Sequence, residues 1–305
     1  MYHVVQSRVV LIEAPTNLGL REPESGAAPG CAKAPGALRD AGLVTALGAE
    51  DGGHLVAPRY NRSAWREGDG VFHASKIADY SRALADRIGG ALVTSPRLVV
   101  VIGGDCSILL GAGLALRRTG RRYGLAFLDG HSDFRHPGNS DRIGAAAGED
   151  LALATGRGQV DLSNVDGHGP LFADSDVVVL GIRSDDEDAA ELRDLGIAHG
   201  DVESIRAEGP AATATWARER LEQLDGFWVH VDVDVLDPSV VSAVDSPAPG
   251  GLTKDELTTL LAGLLASPRC AGIELTVFDP DLDPTGAQAR LIVEILTDAV
   301  HPHSN

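Results

Sequence analysis

The chain has 305 residues, of which 44% are hydrophobic and 23% are charged, and these proportions predict a packed globular core. Its formal net charge of −18 disfavours nucleic acid and anionic membranes as partners, because their phosphates would repel it. No apolar run approaches the ~20 residues that span a bilayer, and the N-terminus lacks the pattern of a signal peptide. Three scattered cysteines form no disulfide framework, so we expect a cytoplasmic protein.

Short apolar runs alternate with amphipathic stretches along the whole chain. The predicted strands are 8–12, 98–102, 124–128, 177–180, 227–233 and 272–278, with a weaker candidate at 53–58. The predicted helices are 70–92, 107–117, 186–195, 211–223, 254–265 and 287–300. This alternation predicts an α/β fold with a parallel sheet and helices on both faces. No linker or repeat divides the chain, so we expect one domain over residues 1–305.

Three of the predicted strands are followed at once by polar side chains. The motifs are GGDCS (103–107), DGHSD (129–133) and HVDVDVLDP (230–238). Alternate residues of a strand share a face, so each of the last two motifs can project its side chains into one pocket. The two sets are Asp129, His131 and Asp133, and His230, Asp232 and Asp234. Ligands of parallel sheets bind beyond the carboxyl ends of the strands, so we expect the functional site there.

Four carboxylates held this close would repel one another, and a bound cation removes the conflict. Oxygen-rich sites with one or two imidazoles suit divalent ions such as Mn²⁺. Two metals about 3.5–4 Å apart, bridged by a carboxylate, would use all of these groups. The alternative is a set of acids that cap helix N-termini. Two such motifs, each closing a strand, favour the metal site.

The three motifs resemble those of the ureohydrolase superfamily, the arginases and agmatinases, which carry GGDHS, DAHxD and SxDxDxxDP in this order. Weaker similarities are APGALRDAGL (34–43), GIRSDD (181–186) and SPAPGGLT (246–253). The resemblance implies a three-layer α/β/α fold around a mostly parallel sheet of about eight strands. It also implies a homo-oligomer, a trimer or hexamer, and a centre of two Mn²⁺ ions whose bound hydroxide attacks a guanidinium carbon.

The resemblance also implies roles for individual residues. It assigns Asp129 and Asp232 to both metals, Asp133 to the first metal, and His131 and Asp234 to the second. Asp234 can in addition accept a hydrogen bond from the hydroxide and orient it. Asp186 matches an acid that contacts the amino end of the substrate.

Cys106 stands where the family has a metal-binding histidine. A thiolate can ligate a metal, but it is soft, whereas manganese prefers oxygen and imidazole. The first site therefore binds Mn²⁺ weakly, prefers Zn²⁺ or Fe²⁺, or is empty. The alternative is an inert buried thiol. The intact frame of the motif favours a ligand or near-ligand.

Two further positions differ from the family. Ala147 aligns with a histidine that shuttles protons, and Val277 aligns with a glutamate that binds the guanidinium. An apolar neighbour favours a less basic guanidine, such as an N-hydroxylated one. Glu149 and His230 are the candidates for proton transfer. His230 replaces a small serine, so a packed core histidine is an equal alternative.

The loop after the second motif supplies candidate groups for the other end of the substrate. Arg135 aligns with an asparagine that helps arginases to bind a carboxylate, and a guanidinium can hold a carboxylate in a fork. Asn139 in the same loop could also contact a polar head group. The alternative for Arg135 is a solvated surface arginine.

These observations predict a metal-dependent hydrolase that cleaves a linear guanidine, or a modified and possibly N-hydroxylated one, of an amino-acid-like substrate. Its products would be an amine and urea or a urea derivative, and its role would lie in specialised metabolism. The alternative is a non-catalytic or mononuclear relative that acts as a binding or regulatory subunit. The differences at Cys106, Ala147 and Val277 motivate that alternative.

Overall fold

The computed structural model describes residues 8–302, and its centre is a single sheet of eight strands. The strands are β1 (Val9–Ala14), β2 (Glu50–His54), β3 (Leu98–Gly103), β4 (Tyr123–Leu128), β5 (Val177–Ile182), β6 (Ala198–Asp201), β7 (Gly226–Asp232) and β8 (Cys270–Thr276). The α-helices are α1 (Ala34–Asp40), α2 (Leu43–Leu47), α3 (Ala74–Val93), α4 (Ile108–Arg118), α5 (Asp150–Ala154), α6 (Val160–Ser163), α7 (Ala189–Asp194), α8 (Val202–Glu208), α9 (Pro210–Leu221), α10 (Lys254–Leu265) and α11 (Ala287–Val300).

All neighbouring strands of the sheet run parallel, in the order β2-β1-β3-β8-β7-β4-β5-β6. Alternate residues of each inner strand enter two separate apolar clusters. In β3, Val99 and Val101 pack on the side of α3 and α4, while Val100 and Ile102 pack on the side of α10 and α11. A sheet that is buried on both faces in this way needs near-continuous apolar strands. The predicted three-layer fold is confirmed.

The six strongest strand predictions are confirmed with shifts of a few residues. The weak candidate at 53–58 corresponds to β2, which begins earlier, at Glu50. The sequence reading missed β6, whose residues are all partly exposed and include no apolar run. It also missed the short helices α1, α2, α5, α6 and α8, which are too short to show a clear period.

The GGDCS motif forms a tight turn because its second glycine touches another loop. A Cβ atom on Gly104 would lie 1.8 Å from the backbone oxygen of Thr16. The amide of Asp105 donates a hydrogen bond to the same oxygen, at 3.2 Å. This contact fixes the path of the chain as it leaves β3 and places Cys106 against the sheet.

No helix within residues 8–302 has both the length and the apolar composition that crossing a bilayer requires. The N-terminal segment that was inspected for a signal peptide lies largely outside the described residues. The sheet order brings the carboxyl ends of β3, β8, β7 and β4 side by side. The three polar motifs follow three of these four strands.

We expect Gly104→Ala to destabilise the protein by about 1–3 kcal/mol, because the added methyl group overlaps the backbone of Thr16. The measurement is urea unfolding followed by circular dichroism. Gly90→Ala is the control: a Cβ at this exposed position of α3 meets nothing within 4 Å. That change should stabilise the helix by about 0.5–1 kcal/mol. Equal effects of the two substitutions would contradict the role of the close approach.

Candidate metal centre

The two acidic motifs meet because their strands are neighbours in register. Leu128 of β4 pairs with Val231 of β7, so that the next residues, Asp129 and Asp232, leave the sheet side by side. Asp129 and Asp232 are both almost fully buried. The sheet thus places two carboxylates at the position where ligands of parallel sheets bind.

Asp129, His131 and Asp234 bring three potential ligand atoms within 4.8 Å of one another. The Nδ1 atom of His131 lies 3.0 Å from Oδ2 of Asp234 and 3.8 Å from Oδ1 of Asp129. Oδ2 of Asp129 is buried and has no hydrogen-bond partner in the described residues. Two carboxylates, one of them with an oxygen that has no hydrogen bond, and one imidazole form a donor set that suits a divalent cation.

The convergence arises from turns rather than from strands that continue through the motifs. β4 ends at Leu128, and Oδ1 of Asp129 accepts a hydrogen bond from the amide of His131 at 2.7 Å. β7 ends at Asp232, and its Oδ1 accepts from the amide of Asp234 at 2.8 Å. The expected alternation along an extended strand is therefore wrong beyond these two residues. Aspartate side chains favour such local bonds to the backbone two residues on.

Cys106 lies beside Asp232, as expected for a ligand or near-ligand. Its Sγ donates a hydrogen bond to Oδ2 of Asp232 at 2.9 Å, and lies 3.3 Å from the hydroxyl of Thr276 on β8. Burial raises the pKa of the Cys106 thiol well above its ordinary value, and the charge of Asp232 adds to this effect. The thiol thus faces a carboxylate as a hydrogen-bond donor, and a bound dication would lower its pKa towards that of the thiolate that ligates metals.

Burial is the main electrostatic cost in the cluster, and repulsion among its carboxylates adds to it. Burial, together with the charges of Asp133 and Asp234, raises the pKa of Asp129 well above its usual range. Burial raises the pKa of Asp133 to about 8. A hydrogen bond to Asp234 raises the pKa of His131 to about 9. A divalent cation among these groups would offset both the burial of the carboxylates and their mutual repulsion. The residues therefore fit a divalent metal.

A cavity of about 240 Å³ opens beside His131 and Asp133 and contains two of the predicted substrate-binding residues. Arg135 lines this cavity, and its Nε donates to Oε1 of Glu187 at 2.8 Å. Asp186 also lines the cavity, and its Oδ2 accepts from the amide of Ser132 at 2.8 Å. Both residues can therefore reach a ligand that extends outward from the metal cluster.

Asn139 is not among the residues that line this cavity, and its contact with substrate stays a prediction. Its Nδ2 donates to the backbone oxygen of Phe134 at 3.0 Å and to Oε2 of Glu191 at 2.8 Å. Its Oδ1 accepts from the amide of His136 at 2.8 Å. With both ends of the amide occupied, Asn139 orders the loop that carries Arg135.

The two candidates for proton transfer are both buried. Glu149 is 2% exposed, accepts a hydrogen bond from the amide of Gly144, and has a pKa that burial raises to about 7. His230 is fully buried, stacks on Phe127 at 4.7 Å between ring centroids, and lies 2.8 Å from Glu274. His230 shares a strand face with Asp232 but lies deeper. Its burial favours the alternative interpretation, a packed core histidine.

The structure adds three residues that the sequence reading did not single out. Arg183 is buried and donates to the backbone oxygens of Asp234 and Ala248, at 3.0 and 2.8 Å, which ties the cluster to the loop 246–251. Glu187 pairs with Arg135. Asp245 lies close enough to Asp234 for their charges to repel, and its pKa is raised to about 6, mainly by desolvation. Only the position of Arg183 inside GIRSDD hinted at such a role.

Comparison with known proteins gives one consistent result. A family model described as the arginase family matches residues 7–301. An arginase from Agrobacterium fabrum is 30% identical over 292 residues, covering 89% of this chain and 86% of that protein. The solved arginase from Bacillus caldovelox has a TM-score of 0.88 at 24% identity, covering 98% of this chain and 100% of that one. Proclavaminate amidino hydrolase from Streptomyces clavuligerus has a TM-score of 0.71 at 22% identity, covering 97% and 91%.

The raised pKa values predict how the metal-free protein responds to pH. Asp133, with a folded pKa of about 8 against an ordinary 3.8, and His131, with about 9 against 6.5, both bind their protons more tightly in the folded state. The stability that these two protonated groups add to the fold is complete at pH values below their ordinary pKa. It is lost as the pH rises through their pKa values in the folded state. We therefore expect the melting temperature of the metal-free protein to fall between about pH 6 and pH 9.

The measurement is thermal unfolding by circular dichroism after removal of metal with a chelator. Asp133→Asn is the control, because an amide cannot titrate and the decline with pH should become shallower. Added Mn²⁺ should raise the melting temperature more at high pH than at low pH, since a metal competes with protons for the carboxylates. A metal-free melting temperature that rises with pH over this range would contradict the electrostatic description.

Proposed function

The chain belongs to the arginase family, and on that premise we propose that it is a metal-dependent hydrolase of a linear guanidine on an amino-acid-like substrate. Urea or a urea derivative would be released, and an amine would remain. The observation that carries the proposal is the convergence of Asp129, His131 and Asp234 at the carboxyl edge of the sheet. This cluster lies beside the cavity that Arg135 and Asp186 line.

The family is generally dependent on two Mn²⁺ ions, and the same dependence is proposed here. Asp129 and Asp232 would contact both ions, His131 and Asp234 would hold the second, and Asp133 would hold the first. When bound, the metals lower the pKa of a water molecule towards neutrality and so supply the nucleophile. The position of Asp129 and Asp232 side by side supports a shared role, because two carboxylates can serve the same pair of metals only if they are adjacent.

The polypeptide itself would orient the reactants. The two oxygens of Asp234 face in different directions, since Oδ1 accepts from the amide of Gly130 at 3.0 Å and Oδ2 lies 3.0 Å from His131. With its side chain held in this way, Asp234 can orient the attacking water. Arg183 fixes the backbone of Asp234 from behind. Glu149, with a pKa of about 7, can exchange protons near neutral pH, although its carboxylate is turned towards the backbone of Gly144.

The opposite end of the substrate would bind in the cavity beside the cluster. Arg135 offers a guanidinium for a carboxylate, and Asp186 offers a carboxylate for an ammonium group. The ion pair of Arg135 with Glu187 holds the guanidinium at the mouth of the cavity before substrate arrives. An amino acid that carries both groups is the ligand that matches this pair of charges.

The residue expected beside the guanidine group of the substrate supports a less basic substrate. The resemblance places Val277 at the position of a guanidinium-binding glutamate. Val277 is buried, and its amide donates to the backbone oxygen of Gly104 at 2.7 Å. Its φ of 71° is unusual for a β-branched residue and marks a site where the fold imposes the conformation. An apolar side chain there favours an N-hydroxyguanidine over the fully charged guanidinium.

The second candidate is a mononuclear or non-catalytic relative that acts as a binding or regulatory subunit. The hydrogen bond that the Cys106 thiol donates to Asp232 supports it, because a thiol engaged in this way is not free to bind a first metal. A homo-oligomer, a trimer or a hexamer, in the cytoplasm is part of the proposal for either candidate. So is a single domain over residues 1–305, which the match over residues 7–301 supports.

Asp232→Ala distinguishes the two candidates. A hydrolase that uses Asp232 to hold metal should lose bound manganese, and its release of urea from arginine, or of hydroxyurea from N-hydroxyarginine, should fall to background. If the protein is a non-catalytic scaffold, the unchanged protein should release no urea or hydroxyurea, and the substitution should mainly lower its stability. The measurements are elemental analysis after dialysis against Mn²⁺ and a colorimetric assay for the product. Product release that persists in the metal-depleted variant would contradict the proposal.

Arg135→Ala tests the amino-acid character of the substrate. Losing a charged hydrogen-bonded pair should raise KM about tenfold for a substrate with a carboxylate. It should leave KM for agmatine, which lacks that group, nearly unchanged. Arg121→Ala is the matched control, because Arg121 precedes β4 at the opposite edge of the sheet and pairs with Asp225. Equal changes in KM for the two substrates would show that Arg135 does not bind the carboxylate.

A further inference from the structure

Beneath the metal cluster lies a group of buried ionisable side chains to which the proposed function gives no established role. It consists of Asp150, the first residue of α5, His230 on β7 and Glu274 on β8. None of the three has any exposed surface. His230 and Glu274 are paired across the two strands. The pair lies two residues before the pair Asp232 and Thr276, on the same two strands and in the same register.

The contacts of this group leave a gap at Asp150. Nδ1 of His230 lies 2.8 Å from Oε1 of Glu274. Nε2 of His230 has no hydrogen-bond partner in the described residues, and Oδ2 of Asp150 lies 4.0 Å from it. Neither oxygen of Asp150 has a hydrogen-bond partner in the described residues. Burying a carboxylate without donors costs several kcal/mol, so a side chain placed in this way needs a proton or a cation.

Asp150 also belongs to the neighbourhood of the first metal. Of the charges that act on its carboxylate, that of Asp133 is the strongest, and that of Asp232 also contributes. Asp150 in turn raises the pKa of Cys106. Asp133, Asp232 and Cys106 are three of the residues that the resemblance places around the first metal. The amide of Ala152 in α5 donates to the backbone oxygen of Asp133 at 3.4 Å, so the helix that begins with Asp150 packs against one of them.

Cys106 leaves a ligand position to be filled. Its thiol is already committed as a donor to Asp232 at 2.9 Å, and thiolate is a poor ligand for manganese. An oxygen ligand would restore the number of donors. Asp150, the first residue of α5, is a buried carboxylate without a hydrogen bond and belongs to a different element from Cys106, which lies in the turn after β3.

We propose that Asp150 is a ligand of the first metal, in place of the histidine that the resemblance expects at position 106. His230, held by Glu274, is a positioning residue that faces the Oδ2 atom of Asp150. Metal ligands are commonly fixed by such a second layer of hydrogen-bonded groups. The inference rests on the proposed metal centre and extends it, because it gives the first metal an all-oxygen donor set. Such a set favours Mn²⁺ over softer ions such as Zn²⁺.

Asp150→Asn tests the assignment with a side chain of the same shape. After dialysis against Mn²⁺, the manganese content should fall from about two to about one per chain, because an uncharged amide is a weaker ligand. The paramagnetic resonance signal of an exchange-coupled Mn²⁺ pair should be replaced by that of isolated ions. Circular dichroism and the melting temperature of the metal-free variant report whether the fold is retained.

Cys106→Ala is the matched control. If Asp150 is the ligand, this variant keeps about two manganese ions per chain, because the thiol is not a ligand. The double variant Cys106→His with Asp150→Asn should regain the second ion, since it restores the histidine of the family motif. This rescue separates a lost ligand from a damaged fold, because a misfolded site would not recover.

Three results would overturn the inference: an Asp150→Asn variant that keeps two manganese ions, a Cys106→Ala variant that loses one, or an unchanged protein that binds only one. Each is a measurement of metal content and does not depend on turnover. A protein that binds two manganese ions through Asp150 but releases no urea or hydroxyurea would refute the proposed function and leave this assignment intact.

Discussion

The crowding of several carboxylates at one edge of the sheet, away from bulk water, is the constraint on which the rest of this structure depends. Burial is the largest cause that raises the pKa values of Asp129, Asp133 and Asp232, and the charge of Asp234 adds to it in each case; a cation among them would offset both effects. Folding places them together because apolar strands β4 and β7 pair in register. The energy of the hydrophobic core is thereby used to assemble an electrostatically unfavourable site that metal binding relieves.

The turns around the cluster hold it in this state. Asp129 and Asp232 each bond to a backbone amide two residues on, which ends the strand and directs the next side chain back to the site. Arg183 adds a cation whose four hydrogen bonds all go to backbone oxygens, so its charge lies near the acids without pairing with any of their carboxylates. Rigid surroundings of this kind favour precise placement of metal and substrate.

Among the residues proposed to hold metal, the one difference from the family motifs lies at the first metal. The residues proposed for the second metal match the family, with His131 at 3.0 Å from Asp234. At the first, a thiol replaces the expected imidazole while Asp150 brings a buried, unpartnered carboxylate nearby. A change from imidazole to carboxylate would make the first metal harder and more negatively surrounded.

The sequence alone determined the parallel α/β fold and the residues of the metal cluster, because uninterrupted apolar runs and closely spaced acids are local signals. It could not determine how those acids converge: the side chains of Asp133 and Asp234 are aimed by turns, not by strand alternation. Nor could it reveal that the side-chain amide of Asn139 bonds to Glu191 on α7, or that Asp150 and His230 lie beneath the site. These outcomes depend on contacts between residues far apart in the chain, and only the packed structure brings such residues together.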